Sequence, residues 1–388
     1  MKDPLDINFY YDIITESGPV PNGLVKFHET GKFEQTTLWH KPFDASFIDN
    51  PSLVQPICNF YESMLCNNCS VSLYTKDEHC ENLFYPIELS FNGINISIPD
   101  KTLKRLRSGE LKLLLLAQIY QGYSSLLPVK RVAIMFKQMG IPEENIIIVT
   151  GDVNNTFKEM FSPFRTYSID WWQIESKLII NNETYKYDVL LRTHVPDMIM
   201  PVKDYDINQF EPKLLFHTHS KFDTIHRGML LDRLKSNNLY KKGTVKSDGD
   251  KFQYHTNSLF TILTPPFSPD KDSIYKSEVN SVFTDFELWE LIAMGKPFIV
   301  IGCQQIIKYL NTQGYFTFYD LINEKYDSYV DHNIKINLIC QELLRICDKD
   351  NGDILKIIKQ YATRNKQKFL SRSHLPNFLN LFDEIRYG

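Results

Sequence analysis

Short apolar runs alternate with helical patterns of apolar residues along much of the chain. In the first half, a helical pattern over 129–139 precedes the β-rich run IIIVT at 146–150. The second half repeats this order, with predicted strands at 187–191, 213–217 and 297–301. Buried apolar strands separated by helices are typical of parallel sheets covered on both faces. We therefore predict an α/β fold with two Rossmann-like domains that face each other across a cleft.

The boundary between the two predicted domains is indicated by a change in composition. Helical patterns in the second half lie at 224–239, 284–294, 336–347 and 354–369. The segment 201–212 lacks such a pattern and holds two prolines and five acidic or amide residues. Proline and polar residues of this kind are typical of linkers. We predict an N-terminal domain at 1–205 and a C-terminal domain at 206–388.

Composition narrows the classes of protein that the 388 residues can form. Hydrophobic residues make up 43% of the chain and aromatic residues 13%, which excludes a disordered or fibrous protein. The 43 basic and 47 acidic side chains leave a net charge of -4, so binding of nucleic acid would need a local basic patch. The longest apolar run, at 113–117, is too short for a membrane span, and Met1 is followed by no apolar leader. We expect a cytoplasmic protein with no membrane partner, and its oligomeric state stays open.

Several of the seven cysteines lie close together between residues 58 and 80. They are Cys58, Cys66, Cys69 and Cys80, with His79 beside the last. A C-x-x-C pair followed by His-Cys provides ligand types that Zn²⁺ prefers. A second well-spaced pair is missing, however, and buried free thiols explain the same residues. The sequence leaves both interpretations open.

The common nucleotide-binding and hydrolase motifs are missing from the sequence. Neither G-x-G-x-x-G nor the Walker A pattern occurs, and neither G-x-S-x-G nor H-E-x-x-H is present. D-x-D triplets do occur, including those at 204–206, 248–250 and 348–350, but none of these three directly follows an apolar strand. We interpret these triplets as loops, and we expect no metal and no cofactor to be required.

The segment 283–302 is the most informative part of the chain. An acidic helix pattern is joined to an apolar strand pattern through a Gly-Lys-Pro turn, and the strand ends at Gly302. A helix N-terminus presents free N–H groups and partial positive charge, which suit a diphosphate. Thr284 and Glu287 also have the spacing of a capping box, which would satisfy the helix end without a ligand. Glu290, one turn further on, is either a ligand contact or a solvated charge.

The motifs of this region occur in the same order in a known family. They are Pro297-Phe-Ile-Val-Ile-Gly302, Ile307-Lys-Tyr-Leu310, Gly314-Tyr-Phe-Thr-Phe318 and Glu324-Lys-Tyr-Asp327. The sequence ELIAMGKPFI at 290–299 resembles a segment of nucleotide-sugar glycosyltransferases with the two-Rossmann GT-B fold. More closely, 283–326 resembles a family of phage and viral proteins that is distantly similar to fucosyltransferase-like enzymes.

The resemblance extends upstream and covers most of 90–330. The segments 139–152 and 219–234 match the same family, the second around His226 and Arg227. The chain also departs from the family pattern, since Phe286 and Glu287 stand where the family has Glu and Lys. Of the basic residues in the upstream motif, Lys221, His226 and Arg227 remain. This departure implies that the donor or its contacts differ from those of the family.

The resemblance implies a glycosyltransferase that moves a sugar from a nucleotide-sugar donor to an acceptor hydroxyl. The C-terminal domain would bind the donor and the N-terminal domain the acceptor, without a metal ion. Arginine suits the diphosphate because its planar fork binds phosphate oxygens in pairs. The predicted donor-binding residues are Arg227, His226, Lys221, Glu287, Glu290, Lys296 and Gly302.

The acceptor hydroxyl needs a base, which in a protein is usually a histidine or a carboxylate. His194, Asp152 and His219 each follow a predicted strand, and ligand crevices of α/β proteins form at the carboxyl ends of strands. These three are the candidate catalytic residues. A structural role explains each of them as well, so the sequence leaves the identity of the base open.

Two local runs of basic residues bear on the acceptor. One contains Lys101, Lys104 and Arg105, and the other, at 356–372, contains Lys366 and Lys368. Such runs form the polar faces of helices or bind nucleic acid through its phosphates. Together with the phage resemblance, they predict double-stranded DNA with hydroxymethylated pyrimidines as an acceptor. The alternatives are a glycan or protein acceptor, and a non-catalytic virion or host-interaction protein on a degenerate GT-B fold.

Overall fold

The described part of the protein forms two compact units. The computed structural model describes residues 5–10, 69–74, 83–88, 98, 100–117, 126–154, 158–168, 170, 173, 176, 206, 210–218, 225–245, 257–265, 281–347 and 351–371. The first unit extends to residue 168 and the second runs from residue 170 to residue 371. Each unit contains one β-sheet with helices.

The first unit is built on a six-stranded sheet whose paired strands are all parallel. Its strands are β1 (Leu5–Tyr10), β2 (Cys69–Tyr74), β3 (Leu83–Glu88), β4 (Lys112–Ala117), β5 (Ile146–Thr150) and β6 (Arg165–Ser168). They lie in the order β2-β1-β3-β4-β5-β6. Every side chain of β5 is buried, as expected for a strand covered on both faces.

In the part of the first unit that the structure describes, three helices are present. They are α1 (Asp100–Ser108), α2 (Leu126–Gln138) and α3 (Lys158–Phe161). In α1, Leu103 and Leu106 are buried, whereas the basic residues between and beside them are mostly exposed. A helix with one apolar side packs that side against the sheet and leaves the charged side in water.

The second unit is built on a four-stranded parallel sheet. Its strands are β7 (Leu214–Thr218), β8 (Gly243–Val245), β9 (Ser258–Leu263) and β10 (Phe298–Val300). They lie in the order β10-β9-β7-β8. The chain therefore adds β8 on one side of β7 and then returns to add β9 on the other. The strand order reverses between β7 and β9, which is the topological switch point of this sheet.

The helices of the second unit that have defined bounds among the described residues are five. They are α4 (Ile225–Ser236), α5 (Phe286–Met294), α6 (Ile306–Thr312), α7 (His332–Cys347) and α8 (Asn351–Leu370). Helix α4 packs against α7, and α5 packs against α8. Trp289 of α5 is fully buried, with its ring centroid 6.0 Å from that of Phe369 on α8. Among the described residues, no helix is long and apolar enough to cross a membrane.

The start of α5 differs from the sequence-based expectation. The N-cap is Asp285, whose side chain accepts a hydrogen bond from the backbone N–H of Leu288 at 2.8 Å. The hydroxyl of Thr284 instead donates to the buried carboxylate of Asp170 at 2.6 Å. The predicted capping box of Thr284 and Glu287 is therefore wrong. The hydroxyl of Thr284 bonds to Asp170, which is distant in the sequence, and Asp285 caps α5 instead.

The predicted class, α/β with parallel sheets, is confirmed by both sheets. The strands expected at 146–150, 213–217 and 297–301 correspond to β5, β7 and β10, to within one residue at each end. The strand expected at 187–191 lies outside the described residues. Because most of 171–209 is also outside them, the boundary between 205 and 206 stays a prediction, as does the cleft between the domains.

Candidate functional site

The carboxyl ends of β7, β9 and β10 meet at one edge of the second sheet, because these strands are parallel. Ligands of open α/β sheets bind at this edge, beside the point where the strand order reverses. Thr264 follows β9 directly, and Gly302 follows β10 by two residues. The side chains and backbone gathered here are named the carboxyl-edge cluster, which consists of His226, Arg227, Thr264, Gly302, His332 and Lys335.

Arg227 connects the first turn of α4 to the end of β9. It is 7% exposed, and its Nε donates to Thr264 Oγ1 at 2.6 Å. Its Nη2 donates to the Thr264 carbonyl oxygen at 2.8 Å. A guanidinium is always charged and has five N–H donors in one plane. The two bonds to Thr264 therefore hold a permanent positive charge in a fixed orientation at the switch point.

His226 and His332 form a buried pair beside this arginine. His332 is the first residue of α7, and the two ring centroids are 4.9 Å apart. Burial lowers the pKa of His226 to about 3, and the nearby His332 and Arg227 act in the same direction. A hydrogen bond with the Pro265 carbonyl opposes the shift. His226 is therefore neutral at physiological pH unless its surroundings change.

Lys335 adds a second cationic side chain, one helical turn after His332. It is 1% exposed, and its Nζ donates to the carbonyl oxygen of Gly302 at 2.6 Å. The buried carboxyl of Asp327 is close enough that Lys335 partly offsets the rise in its pKa caused by burial. The oxygen Oδ2 of Asp327 accepts the N–H of Lys308 at 3.1 Å, at the start of α6.

Asp285 places a carboxyl group at the same edge. Its pKa is raised to about 7, mainly by burial and in addition by the neighbouring Glu287, whereas the hydrogen bond from Leu288 and the charge of Arg227 oppose the change. A group that titrates near neutral pH can accept or release a proton during a reaction. The edge therefore combines fixed positive charge with a carboxyl that is partly protonated at pH 7.

The arrangement suits an anion with more than one charge. Arg227 provides permanent positive charge, Lys335 provides an ammonium donor, and the first turn of α4 contributes backbone N–H groups. Phosphate groups are bound by this combination in many α/β proteins. For a metal ion, no group of three or more His, Cys, Asp or Glu side chains with suitable placement occurs among the described residues.

The remaining predicted donor-binding residues are not all brought to this edge. Glu287 lies in the first turn of α5, and Glu290 is buried in the middle of that helix. Lys296 precedes β10, so it lies at the opposite end of this strand from Gly302. Its Nζ is 3.4 Å from the centre of the Phe210 ring, and burial lowers its pKa well below the usual value.

The three predicted catalytic residues fall in different parts of the chain. His194 and His219 lie outside the described residues, as does the predicted donor-binding residue Lys221. Asp152 follows β5 in the first unit and is buried. Its Oδ1 accepts the N–H of Asn154 at 3.2 Å, which is typical of an aspartate that stabilises a turn. The catalytic roles of these residues stay predictions.

The first predicted basic patch lies on α1. Lys101 and Lys104 are exposed, whereas Arg105 is 8% exposed. The Nε of Arg105 is 3.2 Å from a carboxylate oxygen of Glu110. Lys101 and Lys104 are therefore exposed enough to reach a phosphate backbone. Arg105 instead links α1 to the turn that follows it.

The second predicted patch lies on α8. Lys366 and Lys368 are partly exposed, and the Nζ of Lys368 is 5.5 Å from the centre of the Tyr315 ring. Arg364, which is exposed, lies over the ring of Phe316 at 5.1 Å. A cation that lies over the face of an aromatic ring is attracted to that ring, so it must leave the ring to contact a phosphate. These contacts compete with a role in binding nucleic acid, which stays a prediction.

Several residues of the site were not predicted from the sequence. Thr264, Asp285, His332 and Lys335 have no recognised motif of their own. The apolar run of β9 followed by Thr-Pro is a strand-end pattern, and it could have drawn attention to Thr264. The helix expected from 336 begins four residues earlier, so His332 and Lys335 fell outside the prediction.

The comparisons with known proteins add little to this geometry. No protein-family model and no curated protein matches the sequence. A solved structure of a glycosyltransferase from Rickettsia africae ESF-5 aligns over 99% of this chain and 99% of its own, with 12% identity and a TM-score of 0.31. An overlap of that size carries no inference about the fold or the activity of this chain.

Proposed function

We propose that the protein is a glycosyltransferase whose nucleotide-sugar donor binds at the carboxyl-edge cluster. The observation that carries this proposal is Arg227, which is buried and held by Thr264 at the switch point of the second sheet. The motifs at 219–234 and 283–326 support it, since the first contains His226 and Arg227 and the second contains Gly302. The donor contacts proposed here are Arg227, His226, His332 and Lys335.

The chemistry of sugar transfer explains why this edge would be cationic. When the bond between the sugar carbon and the phosphate oxygen breaks, the diphosphate gains negative charge. Fixed donors and cations that lie where this charge develops stabilise the transition state. Arg227 already has its orientation fixed by Thr264, so little reorganisation would be needed when the donor binds.

The proton of the acceptor hydroxyl must pass to a base. His194, Asp152 and His219 remain our proposals from the sequence, and Asp285 joins them because its pKa is about 7 and it faces Arg227. For the acceptor, we propose double-stranded DNA with hydroxymethylated pyrimidines, supported by the exposed Lys101 and Lys104. The alternatives are a glycan acceptor, a protein acceptor and a non-catalytic interaction role. The two experiments below distinguish them.

The first experiment measures donor binding. Thermal shift and calorimetry with UDP-, dTDP- and GDP-linked sugars should give saturable binding to the wild-type protein. Arg227→Ala should weaken binding by roughly 30-fold or more, because losing one partner of a buried charged contact costs about 2–5 kcal/mol. Arg233→Ala, on the exposed side of α4, is the matched control and should leave the affinity unchanged.

The second experiment tests catalysis and the acceptor. Donor hydrolysis or transfer that increases with hydroxymethylated DNA, and not with plain DNA, would support the DNA acceptor. Transfer to a glycan or protein instead would keep the glycosyltransferase and remove the DNA proposal. If no nucleotide sugar binds, or if Arg227→Ala binds as well as Arg233→Ala does, the donor site proposed here is refuted.

A further inference from the structure

His226 has one ring nitrogen whose surroundings point to a ligand. Its Nε2 is buried and has no hydrogen-bond partner among the residues that the structure describes. The residue is 4% exposed and lies in the first turn of α4, beside Arg227. A buried polar atom without a partner costs free energy, so it requires an explanation. A phosphate oxygen at the carboxyl-edge cluster would be a partner for this nitrogen once the ring carries a second proton.

The hydrogen bond of the other ring nitrogen determines what Nε2 can do. The Pro265 carbonyl bonds to the ring, and a carbonyl oxygen only accepts hydrogen bonds. The nitrogen that donates to it is Nδ1, because Nε2 is the atom without a partner. In a neutral imidazole one nitrogen carries the proton and the other is an acceptor. Nε2 is therefore an acceptor, and it can donate to a phosphate oxygen only after the ring gains a second proton.

The groups that face His226 oppose that second proton in the free protein. Arg227 lies on the same helix, and His332 and Lys335 face it from α7. Two carboxyl groups lie near these cations. Burial raises the pKa of Asp285 and of Asp327, whereas the charge of Arg227 lowers the first and that of Lys335 lowers the second. A doubly charged anion among these basic side chains would raise the pKa of His226 and favour its imidazolium form.

We propose that His226 takes up one proton from solvent when the diphosphate of the donor binds, and that its Nε2–H then donates to a phosphate oxygen. This inference rests on the proposed function, because it assumes that the donor binds at the carboxyl-edge cluster. No covalent bond changes in this step, and the proton returns to solvent when the nucleotide leaves. Donor affinity consequently decreases as the pH rises, by up to about tenfold per pH unit for one linked proton.

The test is calorimetry of the full-length protein with UDP-glucose, dTDP-glucose and GDP-mannose. Both phosphates of these compounds are esterified, so the compounds themselves take up no proton near neutral pH. Titrations in buffers with different ionisation enthalpies measure the number of protons taken up. We expect the wild-type protein to take up close to one proton below the pKa of the bound form. His226→Gln should still bind at about pH 8 but should take up none.

Asp285 is the other group that could supply a linked proton, so Asp285→Asn is the control. Asparagine is also a good N-cap, which preserves the start of α5. We expect Asp285→Asn to retain the proton uptake. For the wild-type protein alone, the ¹⁵N chemical shift of the His226 ring should change from the neutral to the imidazolium value when UDP-glucose or its counterpart saturates the site. This measurement does not depend on the folding of a variant.

The outcomes separate the two proposals. Binding without proton uptake, uptake that persists in His226→Gln, or uptake that disappears in Asp285→Asn would overturn the role of His226 and leave the donor site standing. If none of the three nucleotide sugars binds between about pH 6 and pH 8, the proposed function fails and this inference fails with it. Uptake lost only in His226→Gln, with the ¹⁵N shift of an imidazolium, supports both.

Discussion

Asp170 is the residue whose replacement should destabilise the second unit most clearly. It is 3% exposed, and its carboxylate accepts hydrogen bonds from the Thr284 hydroxyl at 2.6 Å and from the Tyr309 hydroxyl at 2.8 Å. The backbone N–H of Gln173 donates to it at 3.0 Å. These bonds connect the start of the unit to the residue before α5 and to α6. Asp170→Ala removes the acceptor of all three.

The expected cost follows from the donors that remain. Each buried donor without an acceptor costs about 1–3 kcal/mol. Against this, burial raises the pKa of Asp170, which means that keeping the carboxylate buried is itself unfavourable. Removing the charge recovers part of the loss, so we expect Asp170→Ala to lower the free energy of unfolding by about 3–5 kcal/mol. Asp170→Asn keeps one acceptor oxygen, and the hydroxyl groups can rotate to accept from its amide, so about 1–2 kcal/mol is expected.

Urea unfolding followed by tryptophan fluorescence measures this effect. Trp289 is a local probe, because its Nε1 donates to the Thr284 hydroxyl at 3.0 Å. Asp232→Ala, on the exposed side of α4, is the control and should change the free energy of unfolding by less than about 0.5 kcal/mol. A loss below about 1 kcal/mol in Asp170→Ala would refute the assignment of these three bonds to a single stabilising network.

Two further predictions concern stability. Burial raises the pKa of Glu324 to about 7, above its unfolded value, so its contribution to stability is present at low pH and is lost as the pH rises from about 4.5 through 7. Glu324→Gln keeps an acceptor for Thr317 and should flatten that decline in urea titrations at several pH values; an unchanged slope would contradict the assignment. Gly295→Ala should cost about 1–2 kcal/mol in thermal unfolding, since Gly295 has φ 72° and a Cβ there would lie 3.0 Å from the Ala362 carbonyl oxygen. Gly352→Ala, at an exposed position in the first turn of α8, should not destabilise, and an equal loss in both variants would refute the conformational argument.

The local patterns of the sequence predicted the elements better than their ends. The run IIIVT at 146–150 forms β5 with the predicted bounds, because a buried parallel strand needs only apolar residues next to each other in the chain. The helix expected from 336 begins at His332. This start was not predicted because the first turn, HNIK, is mostly polar and gives no apolar periodicity. Within this helix, Leu344 is 41% exposed, whereas Ile346 is buried.

The cap of α5 and the partners of the site residues could not be predicted, because they depend on contacts between residues that are distant in the sequence. Thr284 has the correct spacing for a cap, yet Asp170 takes its hydroxyl, and nothing local to 284–287 indicates that aspartate. His226 was predicted as a donor contact through the resemblance, but its neighbour His332 belongs to another helix. Single residues of a binding site can be proposed from a motif, whereas their partners depend on which strand ends the fold brings together.

A bound anion would explain features of the carboxyl-edge cluster that packing leaves unexplained. A structural role accounts for Arg227 bound to Thr264 and for Lys335 bound to Gly302, because each bond fastens a helix to a strand end. It also accounts for the hydrogen bond of His226 to the Pro265 carbonyl, but it leaves Nε2 of His226 buried without a partner among the described residues. Apolar side chains of similar volume would fill that space without the cost of burying polar groups. Negative charge that joins Arg227 and Lys335 at the switch point would stabilise them further and would favour protonation of His226, and a helix N-terminus and strand ends are where such charge binds.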